Sequence, residues 1–189
     1  MIYLASTSPR RSALLAQVGV VFEALSPDVD EAVCEREAPL DYVRRMALEK
    51  ALSGQSVRAH RSLPQAPVLA ADTVVVLGEE IIRKPEDLTC AWAQLRRLSG
   101  RDHTVYTALC LIGGTRRELV SSTIVTMKSL SDAEIDAYCA TGEPLGKAGG
   151  YAIQGRGALF VSRILGSYSN VVGLPLYECG QLLREEGIL

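Results

Sequence analysis

The stretch "LASTSPRR", residues 4 to 11, places three hydroxyl side chains, a proline and two arginines directly after an apolar run. A strand leading into a helix here would bring backbone N–H groups and Arg10 to a position where they can hold an anion such as phosphate. Ser8 suits the N-cap and Pro9 suits the first helical position. The alternative is a capped helix with two solvated arginines on its first turn, and the spacing alone leaves both open.

Asp72 interrupts the apolar segments "VLAA" and "TVVVL". An ionised carboxylate is costly to bury without partners, so Asp72 predicts a hydrogen-bond network, a cation or a functional cavity. The alternative is that Asp72 ends a strand and accepts hydrogen bonds from nearby backbone N–H groups. Asp30 and Glu31 belong to the acidic segment "SPDVDEAVCE" and, taken alone, fit solvated loop charges.

Lys50 falls near the apolar face of a predicted helix, close to Met46 and Ala47, so it needs a partner or a route to solvent. Lys84 follows a predicted strand and, taken alone, fits an edge charge. Considered together, the dispersed charges suit a magnesium polyphosphate, with cations for the phosphates and carboxylate oxygens for a hard divalent ion. The cations are Arg10, Lys50 and Lys84, and the carboxylates are Glu31 and Asp72.

Other nucleotide and metal motifs do not fit the sequence. The segment "GEPLGKA" has one residue too few between its glycines for a P-loop, and Ala148 stands where that loop needs a hydroxyl. The segment "GRG" at 155–157 lacks the third glycine and the strand-to-helix setting of a dinucleotide fold. His60 and His103 are too few for a histidine-rich metal site, and five scattered cysteines predict reduced thiols.

The composition is that of an ordinary globular chain. Of 189 residues, 48% are apolar, and 20 basic against 22 acidic side chains give a net charge of −2. Such a balance supplies no overall positive field for nucleic acid or an anionic membrane. No apolar run is long enough to span a bilayer, and no signal peptide is recognisable. We therefore expect a cytoplasmic protein.

Strand and helix patterns alternate and predict one α/β domain over residues 1–189, with mixed strands and scope for two lobes. Strands are predicted at 1–6, 21–25, 68–77, 81–84, 103–112 and 119–127, and near Leu159. Helices are predicted at 9–18, 39–53, 86–98, 131–140 and 176–186. Ser131 and Glu134 predict a capping box for the fourth helix.

A series of longer motifs resembles the Maf-type nucleotide pyrophosphatases. In chain order they are "LASTSPRR", "VDE" at 29–31, "EKA" at 49–51, "AADTVV", "KP", "LSGRDHTVYTA", "KAGGYAIQGRGALFV" and "GSYSNVVGLPL". They extend over nearly the whole chain, which makes the resemblance far more specific than any single pattern.

The resemblance implies an enzyme that hydrolyses nucleoside triphosphates to the monophosphate and pyrophosphate with a divalent metal, Mg²⁺ or Mn²⁺. It also implies the elongated α/β fold of inosine-triphosphate pyrophosphatases, a mixed sheet with flanking helices and a central cleft between two lobes. The implied partner is a nucleoside triphosphate, with no nucleic acid and no membrane. A homodimer is left open.

The resemblance also assigns roles to residues. Asp72 corresponds to the catalytic acidic residue, which would orient or deprotonate water or hold the metal, and Glu31 would support the metal. Phosphate binding would use Ser6, Ser8, Arg10, Lys50 and Lys84, whereas Thr73 and Gln154 would hydrogen-bond the pyrimidine edge. Arg11 fits a solvated helix residue equally well.

The motifs "SPRR", "ADT" and "IQG" look like the branch of the family that acts on dTTP and UTP, rather than the branch associated with 7-methyl-GTP. Arg10, Thr73 and Gln154 are the positions that distinguish this preference. The sequence departs from the family pattern at Ala70, where a glycine is expected, and in "GKAGGYAIQG", where "DKAGAYGIQG" is more usual. These departures leave the proposed reacting groups in place.

Two other functions are open at this point. A non-catalytic nucleotide-binding regulator of cell division, acting in septum formation, would use the same anion site without hydrolysis. An RNA-binding module would use the arginines at 96, 97, 101, 116 and 117. The charge balance and the lack of an aromatic RNA motif argue against the RNA-binding alternative.

Overall fold

A computed structural model describes residues 1–189 and contains seven strands in one mixed sheet. The strands are β1 (Ile2–Ala5), β2 (Phe22–Leu25), β3 (Val68–Leu77), β4 (Glu80–Ile82), β5 (Asp102–Ile112), β6 (Arg116–Met127) and β7 (Val161–Leu165). Their order across the sheet is β2, β1, β3, β5, β6, β7, with β4 paired to β3. Strand β1 is parallel to β2 and β3, whereas the β3–β4 and β6–β7 pairs are antiparallel.

The helices begin where the sequence provides start signals. They are α1 (Pro9–Gln17), α2 (Pro39–His60), α3 (Leu88–Leu98), α4 (Asp132–Cys139), α5 (Tyr168–Val172) and α6 (Leu176–Glu185), with 3-10 turns at Ala148–Gly150 and Arg156–Phe160. Pro9 and Pro39 occupy the first helical position, where a missing N–H costs nothing. Asp87 caps α3, and the predicted capping box of Ser131 and Glu134 opens α4.

The chain forms two compact units. The first comprises Met1–Asp72, Thr107–Ser121 and Gly173–Leu189, and the second comprises Thr73–Tyr106 and Ser122–Val172. Strands β3, β5 and β6 contribute residues to both units. The single domain over 1–189 and the cleft between two lobes stay predictions.

Strand β1 forms the centre of the first unit and is buried along its whole length. Helix α2 packs on it at Gly54, where an added Cβ would lie only 2.6 Å from the Cβ of Ala5 and 2.9 Å from Cγ1 of Val68. Glycine therefore allows the helix to approach the sheet closely. Lys50, one turn earlier on α2, is brought to the sheet by the same approach.

Helices α3 and α4 pack together in the second unit over a core that includes Leu95 and Ile135, both fully buried. The ring of Tyr138 meets that of Phe160 edge to face, with 5.0 Å between centroids. His103 is buried in the same unit, and its Nε2 lies 2.7 Å from the Tyr151 hydroxyl.

The predicted α/β class, with a mixed sheet and flanking helices, is confirmed. The prediction that the second helix ends at 53 is wrong, because Gly54 continues the helix and α2 extends to His60. The short helix α5 was not predicted from the sequence. The strand predicted near Leu159 begins at Val161, directly after a 3-10 turn.

All five cysteines are free, as the sequence predicts. None of the helices combines the length and apolar character that crossing a membrane requires.

Candidate active site

Strand β1 ends at Ala5 and helix α1 begins at Pro9, so a three-residue link separates a buried strand from a helix N-terminus. Ser6 lies in this link with 5% of its surface exposed. Its Oγ accepts a hydrogen bond from the Ser8 N–H at 3.2 Å and one from Nη1 of Arg11 at 3.3 Å. The predicted strand-to-helix junction is therefore present, with Ser6 hydrogen-bonded at its base.

Ser8 occupies the extended N-cap position, but its side chain makes no capping hydrogen bond. The prediction that Ser8 is the N-cap residue is confirmed, and the Ser8 N–H is turned towards Ser6. The first backbone N–H groups of any helix lack intrahelical partners. Together with the helix dipole, they favour an anion in front of α1.

The alternative that both arginines are solvated is wrong for Arg11, which is hydrogen-bonded within the protein. Its Nε donates to the carbonyl of Gly173 at 2.8 Å, and its Nη1 reaches Ser6. Burial lowers the pKa of the Arg11 guanidinium; the charge of Asp72 opposes this shift, Arg10 adds to it, and Glu31 opposes it. Arg11 is still a cation in a protein. It therefore contributes positive charge near the carboxylates, which the sequence reasoning missed.

Lys50 joins the two carboxylates that the sequence selected. Its Nζ lies 2.6 Å from Oδ1 of Asp72 and 2.6 Å from Oε1 of Glu31. The side chains of Lys50 and Asp72 are 8% and 9% exposed, and that of Glu31 is 40% exposed. The prediction that both Lys50 and Asp72 need partners is confirmed. The alternative that Asp72 ends its strand is wrong, because β3 continues to Leu77.

The loop that carries Glu31 is held by the first turns of α2. Tyr42 donates its hydroxyl to the carbonyl of Glu31 at 3.0 Å, and Nη2 of Arg45 donates to the carbonyl of Ala32 at 2.9 Å. Arg45 also binds Glu37 through two hydrogen bonds of 2.6 and 2.7 Å. The Glu37 bond raises the pKa of Arg45 and lowers that of Glu37. Backbone and side-chain bonds together thus orient Glu31 towards Lys50.

Tyr42 and Arg45 were absent from the sequence-based site. They lie three residues apart on α2, and Glu49, which pairs with Arg45, continues the same face. This polar and aromatic stripe at helical spacing was the available signal. Nothing in the sequence, however, indicated that it faces the acidic loop.

Four predicted site residues remain to be placed: Arg10, Thr73, Lys84 and Gln154. Arg10 is half-buried on α1, and its charge acts on Arg11. Thr73 directly follows Asp72 on β3, so the two side chains point to opposite faces of the strand. Lys84 and Gln154 are exposed residues of the second unit. A common site for these last three and Asp72 stays a prediction.

Glu31 and Asp72 are the two carboxylates that could hold a divalent cation. Each uses one oxygen in its contact with Lys50. No group of three or more His, Cys, Asp or Glu side chains is placed to bind a metal alone. Mg²⁺ commonly takes one or two carboxylates and completes its shell with water and substrate phosphate oxygens. The donor set therefore fits a cation that arrives with a phosphate ligand.

The mixed α/β fold brings Lys50, Asp72 and Glu31 into one ionic cluster within the first unit. Residues 1–186 match the family described as Maf-like protein. The chain belongs to that family, as the motif resemblance indicates.

The first two of the following three similar proteins, both curated relatives, support the assignment. A dTTP/UTP pyrophosphatase of Bordetella parapertussis is 49% identical, with 99% of this chain and 93% of the relative covered. A dTTP/UTP pyrophosphatase of Shewanella oneidensis is 50% identical, covering 100% of this chain and 99% of the relative. The crystal structure of a nucleoside-triphosphatase / dITP/XTP pyrophosphatase from Mycobacterium abscessus aligns with 68% of this chain and 74% of its own, at 19% identity and a TM-score of 0.42.

Proposed function

We propose that this protein hydrolyses dTTP and UTP to the nucleoside monophosphate and pyrophosphate. The observation that carries the proposal is the contact of Lys50 with both Asp72 and Glu31, next to a helix N-terminus and the half-buried Arg11. Curated relatives at 49–50% identity are named for this activity. Cationic and carboxylate groups that suit a polyphosphate with a hard cation are thus present in the first unit.

Asp72 is the proposed catalytic residue. Its carboxylate would orient a water molecule, or accept its proton, while the water oxygen forms a bond to the α-phosphorus. The bond between the α-phosphorus and the bridging oxygen breaks, and that oxygen leaves with pyrophosphate. Glu31 and Asp72 would hold a divalent cation, Mg²⁺ or Mn²⁺, which supplies charge neutralisation and lowers the pKa of bound water.

Four cations would bind the phosphates. Hydrolysis at phosphorus depends mainly on positioning and on stabilising the developing negative charge. Ser6 and Ser8 would orient phosphate oxygens at the start of α1. The positive charge would come from Arg10, Arg11, Lys50 and Lys84, with Arg11 added to the sequence-based set because its guanidinium reaches Ser6.

Thr73 and Gln154 would provide the base preference. A side-chain hydroxyl and an amide can donate to and accept from the edge of a pyrimidine. Buried or well-oriented hydrogen bonds of this kind discriminate strongly against bases that cannot match them. The proposed partner is therefore a pyrimidine nucleoside triphosphate. We propose a cytoplasmic location, with neither nucleic acid nor a membrane as a partner. A homodimer is the assembly that the sequence leaves open.

A triphosphate panel tests this proposal. The purified protein is incubated with dTTP, UTP, CTP, ATP and GTP in the presence of Mg²⁺ or Mn²⁺, and the monophosphate and pyrophosphate are measured together. We expect equimolar products, with dTTP and UTP preferred. Gln154→Ala should lower the ratio of UTP to GTP turnover and change the melting temperature little. Tight nucleotide binding without any product would instead favour the non-catalytic regulator.

A further inference from the structure

The turn that carries Gln154 is hydrogen-bonded on both sides by two side chains outside it. Before Gln154, the Ala152 N–H donates to the Tyr138 hydroxyl oxygen at 3.1 Å. After Gln154, the N–H groups of Arg156 and Gly157 each donate to Glu143, both at 3.0 Å. All these residues belong to the second unit.

Tyr138 and Glu143 are also bonded to each other. The Tyr138 hydroxyl donates to Oε1 of Glu143 at 2.7 Å, so its oxygen accepts from the turn while its proton goes to the carboxylate. The ring of Tyr138 is 3% exposed and packs against Phe160. The carboxylate and the phenol therefore form one connected clamp, fixed by a core aromatic contact.

The glycines of "GRG", which fit no dinucleotide motif, have a structural role in this clamp. A Cβ at Gly155 would lie 2.4 Å from Oε2 of Glu143. A Cβ at Gly157 would lie 2.8 Å from the Ala152 carbonyl oxygen and 2.9 Å from the Tyr138 hydroxyl. Both positions must lack a side chain if the carboxylate and the phenol are to reach the backbone.

The charge of Glu143 suits this arrangement. Partial burial opposes ionisation, but hydrogen bonds from Gly157, Tyr138 and Arg156 together lower the pKa of the carboxyl. Burial raises the pKa of Tyr138, so its proton stays in place as a donor. A charged acceptor forms stronger hydrogen bonds to backbone N–H groups than a neutral one does.

We propose that Tyr138 and Glu143 are positioning residues that hold Gln154 in the geometry required to select the pyrimidine base. The inference rests on the proposed function, because it assumes that Gln154 contacts the base. Gln154 itself is exposed and lies in a turn, so its position depends on how that turn is held. A hydrogen-bonding group discriminates between ligands only when its support holds it to within about 0.5 Å.

The test uses Tyr138→Phe and Glu143→Gln in the full chain. The first variant keeps the ring packing and removes only the hydroxyl; the second replaces one acceptor oxygen by a donor. Matched controls are Tyr177→Phe, at a residue 69% exposed, and Glu79→Gln, in an exposed turn. For each variant, kcat and KM are measured with UTP and with GTP, alongside the melting temperature.

Both clamp variants should lower the UTP to GTP ratio of kcat/KM by roughly tenfold, equal to about 1.4 kcal/mol. The change should appear mainly in the KM for UTP, with kcat for GTP nearly unchanged, because the phosphate-side groups are untouched. The control variants should keep the wild-type ratio. A general loss of folding would instead lower activity with both nucleotides.

An unchanged ratio in folded Glu143→Gln would overturn the inference, even if Tyr138→Phe failed to fold. An unchanged ratio in Gln154→Ala would also overturn it, since there would then be no base contact to position. If the wild-type protein releases no pyrophosphate from any triphosphate, the proposed function itself fails before the variants are compared.

Discussion

The Lys50 ammonium lies 2.6 Å from Oδ1 of Asp72, and both side chains are more than nine-tenths buried. The same nitrogen lies 2.6 Å from Oε1 of the more exposed Glu31. One cation thus contacts two carboxylates. Desolvation is costly for each buried charge. Removing one charged side chain of this cluster should therefore strongly lower both the free energy of unfolding and the activity.

Replacing Lys50 by methionine should lower the free energy of unfolding by about 3 kcal/mol, because Asp72 would be left buried without its cation. Adding Asp72→Asn should restore part of this loss, since the unbalanced charge is then removed. Urea unfolding of the single and double variants measures the coupling. Lys128→Met, which breaks an exposed ion pair with Glu134, is the control and should cost less than about 1 kcal/mol. Simple additivity of the Lys50 and Asp72 effects would contradict the account.

Arg11→Lys should reduce kcat/KM for UTP by roughly 10- to 100-fold, which corresponds to losing a charge-assisted hydrogen bond. The planar guanidinium binds Ser6 and Gly173 at once, and a single ammonium cannot reproduce that fork. Steady-state kinetics measure the effect. Arg44→Lys, on an exposed face of α2, serves as the matched control. Wild-type kinetics in Arg11→Lys would show that this arginine is only structural.

His103 should make stability fall as the solution is acidified. Burial lowers its pKa to about 4 despite the opposing charge of Asp102, whereas an unfolded histidine titrates near pH 6.5. Between these values the unfolded chain binds a proton that the folded chain excludes. Stability is therefore lost as pH falls from about 6.5 to about 4, by about 3 kcal/mol in total.

Urea unfolding at a series of pH values tests the His103 contribution. His103→Gln should flatten the slope within this window, because no imidazole remains to be protonated in the unfolded chain. His60→Gln should retain the slope, since His60 is exposed. Equal slopes in His103→Gln and the wild-type protein would count against a buried neutral imidazole.

Gly54→Ala should destabilise the protein by about 1–3 kcal/mol, because the new methyl group would collide with Ala5 and Val68. The gain in helix propensity, up to about 1 kcal/mol, offsets only part of this cost. Gly180→Ala is the matched helical control, since its Cβ would meet only the flexible end of Arg184 at 3.4 Å. Thermal unfolding compares the two. A stabilised Gly54→Ala variant would mean that α2 does not depend on this close approach.

The sequence predicted the chemistry of individual charges better than their pairing. Asp72 and Lys50 each stood in apolar surroundings, so physical cost alone indicated partners for both. That they partner each other depends on how α2 crosses the sheet at Gly54, which no local pattern encodes. Lys84 and Gln154 carry no comparable burial signal, and their roles depend on the family resemblance.

The choice between neighbouring residues was also beyond the sequence. Arg10 and Arg11 are the same residue type at adjacent positions, so the sequence does not distinguish them. In the structure, Arg11 donates hydrogen bonds to Ser6 and Gly173. Tyr42 donates to the carbonyl of Glu31, 11 residues earlier in the chain, and Glu143 accepts from the N–H of Gly157, 14 residues later. Such contacts follow from tertiary packing, whereas caps such as Ser131 with Glu134 are local and were predicted.

The most direct test of the central claim compares the products of UTP hydrolysis by the wild-type protein and by Asp72→Asn, with folding checked by thermal unfolding. The wild-type protein should release UMP and pyrophosphate in equal amounts, and the folded variant should turn over at least about 100-fold more slowly. Near-normal pyrophosphate release by Asp72→Asn would contradict the claim that this carboxylate carries the reaction.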